Sequence, residues 1–88
     1  MKKTFYCVKA QFNEFGKRTA DITQSVEAEK RPKSRMLTKS GLTTFSIWTA
    51  AEINALTLVE LIKDMAVGID DLVSLMTKLS MDQERRAA

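Results

Sequence analysis

The chain has 88 residues, of which 44% are hydrophobic and 28% charged, and a formal net charge of +3. That length allows one small core with a narrow stability margin, and the apolar share excludes a wholly disordered chain. The single cysteine, Cys7, excludes an internal disulfide, and the absence of histidine removes the commonest general base, the usual zinc ligand and every Ser-His or Cys-His pairing.

The opening MKKTFYCVKAQF begins like a signal peptide, but Lys9 ends its apolar run after Phe5 to Val8, far short of a secretory core. No uncharged apolar segment approaches about 18 residues, so no membrane span is expected. A lone cysteine favours a reducing compartment, and a cytoplasmic location follows as the expectation. Charge is divided unevenly. Residues 1 to 39 hold ten Lys or Arg against four Asp or Glu, whereas residues 40 to 88 hold four against seven. Halves of opposite sign steer an acidic partner to the first half or help copies associate.

TFYCVKAQF alternates, with Tyr6, Val8, Ala10 and Phe12 on one face and Phe5, Cys7 and Lys9 on the other, which predicts a strand. Asn13 suits the first position of a type I turn, and Gly16 suits a positive φ closing a hairpin. RTADITQSVEAE alternates again: Ala20, Ile22, Val26 and Ala28 point one way, with Gln24 alone interrupting the series. One wet face and one buried face are expected. Residues 29 to 41, EKRPKSRMLTKSG, read as a polar loop, and LTTFSIW reads as the third strand, with Phe45 and Ile47 on one face.

Thr49 and Glu52 have capping-box spacing, and Trp48 and Ile53 have that of a hydrophobic staple, so a helix is expected to begin directly after the third strand. Leu58, Ile62, Met65, Ile69, Leu72, Met76 and Leu79 then form an unbroken heptad seam. A continuous helix from residue 50 to about 79 would be about 45 Å long, longer than strands of about 23 to 31 Å can cover. Either the helix breaks at Gly68 and folds back, or it stays whole and its distal half packs on another chain. The in-phase seam favours continuity.

The expected fold is therefore α+β: a three-stranded antiparallel sheet, arranged as a meander, followed by a long C-terminal helix or helical pair packed on one face. It forms one domain, with a β part over 1–48, a helical part over 49–81 and a frayed tail over 82–88. Candidate self-association residues are Ile69, Leu72, Met76 and Leu79, which point to a homodimer. Lys30, Arg31, Lys33, Arg35 and Lys39 form a basic loop suited to an acidic protein partner or to phosphates of nucleic acid. Its lack of aromatics weakens the case for base stacking.

A helix-turn-helix around Gly68 would open its second helix with Asp70 and Asp71, which repel phosphate. Asp70 and Asp71 are adjacent and do not share a helix face; Glu60 and Asp64 do, but on a polar side without a cleft. No cofactor or metal is expected. The function these features favour is a non-enzymatic protein-interaction module, a small adaptor or inhibitor acting on a larger partner; the alternative is nucleic-acid binding through residues 30–39.

Overall fold

The structure is a computed structural model that describes residues 2–77. The expected Leu79 contact and the tail at 82–88 lie outside the described residues. Four strands, β1 (Lys3–Asn13), β2 (Arg18–Ala28), β3 (Arg35–Lys39) and β4 (Leu42–Thr49), form one antiparallel sheet in the order β2-β1-β4-β3. Two helical segments follow, α1 (Glu52–Lys63) and α2 (residues 69–77).

The α+β class stands, with two corrections to the sheet: there are four strands, and they do not form a meander. Residues 35–39, expected as loop, are an edge strand. They escaped notice because all five are exposed, so no buried face imprints an alternation on them. Two hairpins instead set their inner strands side by side. β1 and β4 become central and carry most of the core. The chain must then cross from one sheet edge to the other between β2 and β3, about 14 Å at the usual strand spacing. Residues 29–34 are this crossover, and about 20 Å of extended chain is enough for the span.

Both hairpin turns follow from local chemistry. Asn13 Oδ1 accepts from the backbone N–H of Phe15 and of Lys17, each at 2.9 Å, and Gly16 takes a φ of 85°. Ser40 (φ 55°) and Gly41 (φ 79°) form the two-residue turn between β3 and β4, a left-handed pair whose twist suits antiparallel strands.

One irregularity redirects β2. Cys7 pairs with Gln24 but Val8 pairs with Ile22, so Thr23 is an unpaired bulge residue. Ala20 and Ile22 therefore share the helix-covered face with Ala10 and Val8, while Val26 and Ala28 fall on the opposite face with Phe5. The even spacing of these four residues suggested a single face; the bulge divides them. The opposite face is accordingly not uniformly wet, for Phe5, Cys7 and Trp48 form a small second cluster there, packed by Val26 and Ala28.

The main core joins Val8, Ala10, Phe12, Phe45 and Ile47 of the sheet to Ala55, Leu58, Val59 and Ile62 of α1 and Leu72 of α2. The Phe12 and Phe45 rings meet edge to face at 5.8 Å. No capping box forms. Thr49 remains paired with Tyr6 in the sheet, its hydroxyl donates to Ala51 O, and the N-cap is Ala51 without a side-chain bond. Trp48 is turned to the other face, and Ile53 stays exposed, so there is no staple either.

The continuous helix is also corrected, for the chain breaks at residues 64–68. Met65 N–H bonds Ile62 O and Ala66 N–H bonds Leu61 O, with Met65 left-handed at φ 63°: a Schellman ending centred three residues before Gly68. Gly68 instead caps α2. Its N–H is bonded by Asp71 Oδ2 at 2.9 Å, and its carbonyl accepts from Leu72 N–H. Arg18 holds the turn down, stacking over the Phe12 ring at 4.9 Å and donating to Val67 O at 2.7 Å.

Candidate interaction surface

The five cations do not form one patch. Lys30 and Lys33 are exposed on the crossover and Arg31 is half-buried there. Arg35 opens β3 and Lys39 closes it, about 13 Å apart at strand rise. Both project from the sheet face opposite the helices, the parity of Leu37. Lys9 joins them, because Ser46 pairs with Arg35 on one side and with Lys9 on the other. The acid in this row is Asp21, paired with Lys9; its 3.9 Å contact to Lys63 is largely exposed and contributes little.

Sequence reasoning passed over the residues between those cations. Met36 and Leu37 are 46% and 65% exposed at the sheet edge. The turn fixes which backbone groups of β3 are used. Lys39 and Leu42 flank a two-residue turn and exchange both hydrogen bonds, so residues 39, 37 and 35 face β4. Met36 and Thr38 therefore direct their N–H and C=O groups outward. The Trp48 N–H, donating to Ser34 Oγ at 3.2 Å, continues the same alternation along β4. The readable signal was Ser40-Gly41 between two β-compatible runs.

The crossover also borders a groove of about 330 Å³, lined by Arg31, the chain at Trp48, Thr49 and Ala50, by Asn54, Thr57, Leu58 and Leu61 of α1, and by Leu75 of α2. Its threonines are occupied by backbone: Thr49 donates to Ala51 O and Thr57 to Ile53 O.

The self-association set is dispersed. Leu72 is fully buried in the main core, Met76 is partly buried against it, and Ile69 is 39% exposed. Fold-back at residues 64–68 turns Leu72 inward, so it does not present a surface to another chain, while Met65 and Ile69 of the same seam stay exposed. Leu75 shares the groove with α1, about 60° to one side of Leu72, whereas Ile69 and Val73 lie about 60° and 100° to the other. That second flank looks away from α1.

Among the described residues no group of three or more His, Cys, Asp or Glu side chains is placed to hold a metal ion, and no helix is long and apolar enough to cross a membrane. No family model, curated protein or solved structure matches the chain.

Proposed function

We propose that this chain is a non-enzymatic protein-interaction module that binds an acidic surface of a larger protein through the crossover and β3. The observation that carries the reading is β3 itself: an edge strand exposed at every residue, cationic at both ends, continuing a crossover rich in cations. Charge of one sign steers encounter, and the exposed apolar residues between the cations provide area to bury. The reading includes no homodimer through α2, because Leu72 belongs to the core.

A photo-crosslinking amino acid placed at Lys33, in cells that make the protein, tests this reading. A discrete, nuclease-resistant protein adduct, several-fold weaker when Arg35→Glu is added, is the expected result. Nuclease-sensitive adducts alone would replace this reading with the second one, nucleic-acid binding. What favours that second reading is the shared polar face of Lys9, Arg35 and Lys39. It requires affinity that falls linearly in log salt, with a shallower slope after neutralising Lys30, Arg31 and Lys33.

A further inference from the structure

We propose that β3 receives an extended, acid-flanked segment of another protein as a fifth strand of the sheet. This rests on the interaction-module reading and names both the part of the surface used and the segment it takes. Strand addition needs an open edge with regular outward backbone groups. β3 offers the N–H and C=O of Met36 and of Thr38, each in a pair that makes no bond to β4. The other edge is unsuited, because the Thr23 bulge interrupts the outward rhythm of β2 midway.

Charge selects the occupant. A second copy, added antiparallel about Leu37, would place Arg35 of each copy directly opposite Lys39 of the other, a like-charge contact made twice. An incoming strand with acids at its first and fifth positions meets Arg35 and Lys39 instead, in either direction, because the spacing is symmetric about Leu37. Its third position falls beside Leu37 and is apolar. Its second and fourth positions lie on the helix side, beside Met36 and Thr38, where a β-branched apolar residue suits the extended backbone and packs on the exposed Met36 side chain. The segment is thus an extended acid–apolar–apolar–apolar–acid stretch.

The test uses the full chain and a blocked peptide, Gly-Ser-Glu-Val-Leu-Val-Glu-Ser-Gly, with a counterpart carrying Lys for both Glu. Amide hydrogen exchange is followed residue by residue. The Glu peptide is expected to slow the Met36 and Thr38 amides about 10-fold or more, and the Lys peptide to leave them unchanged. Thr38→Pro removes an outward donor that the β3–β4 ladder does not use, so it should fold and lose the effect. Arg35→Glu combined with Lys39→Glu, both exposed, should exchange the preference between the two peptides.

The proposal is overturned if the Glu peptide leaves these two amides unprotected, or protects the Met36 amide as strongly in Thr38→Pro as in the parent. A protein adduct at position 33 without edge protection keeps the interaction module and rejects this edge. Edge protection without an adduct supports the edge and removes the crossover from the contact surface.

Discussion

Met65 is the residue whose conformation and identity disagree most. It sits at φ 63° as the left-handed residue of the Schellman ending and is 67% exposed, so its side chain adds little packing to offset the strain. Met65→Gly is expected to raise stability by about 1 kcal/mol, read as a higher urea midpoint at unchanged slope. Arg18 acts in the opposite sense. Arg18→Ala loses the bond to Val67 O and the stack on Phe12, and a loss of about 2 kcal/mol should appear in the same measurement. Should Arg18→Ala unfold at the same midpoint as the parent, the guanidinium does not hold the turn. Neither role was legible beforehand. The even spacing of the seam gives no sign that Met65 leaves the helix, and Arg18 meets Val67 only because the hairpin returns beneath the turn.

Among the elements, the β1–β2 hairpin and α1 were legible, because each writes its own period into the chain. β1 alternates over a sheet with apolar contacts on both faces, and Ala55, Leu58, Val59 and Ile62 repeat at helical spacing. β3 writes no period, since neither face is covered. The Ser40-Gly41 turn that defines it is also improvable. Ser40 occupies a left-handed position that Asn tolerates better, so Ser40→Asn should stabilise the hairpin by about 0.5 kcal/mol, checked by thermal unfolding. The bulge at Thr23 was equally silent. Its trace in the sequence is Gln24, the one polar residue in an even-numbered apolar series, and Gln24 is where the series changes face.

For the whole molecule, the decisive event is the fold-back at residues 64–68. It returns Leu72 to the sheet, where α1 covers β4 less than β2 and β1, and Leu72 joins the cluster in which Phe45 and Ile47 are fully buried. Leu72→Glu is therefore expected to unfold the chain, with a loss of about 4 kcal/mol or more from an unpaired buried charge. A folded, soluble Leu72→Glu protein would restore the distal helix as an interface. Light scattering behind a sizing column should correspondingly give the mass of one chain for the parent protein, unchanged by salt.

What the sequence determined by itself was the α+β class, the first hairpin with its Asn13 and Gly16 turn, a helix following the last strand, and the collection of cations in one half. These depend on neighbours within about one turn or one strand, so local period and turn chemistry suffice to state them. The strand order, the edge position of β3, the facing of Val26 and Ala28, and the inward use of Leu72 were decided only in three dimensions. Each depends on which distant surface is left uncovered. A six-residue crossover can end beside either edge, a bulge leaves parity intact while reversing the face, and a seam keeps its spacing whether it meets another chain or its own sheet.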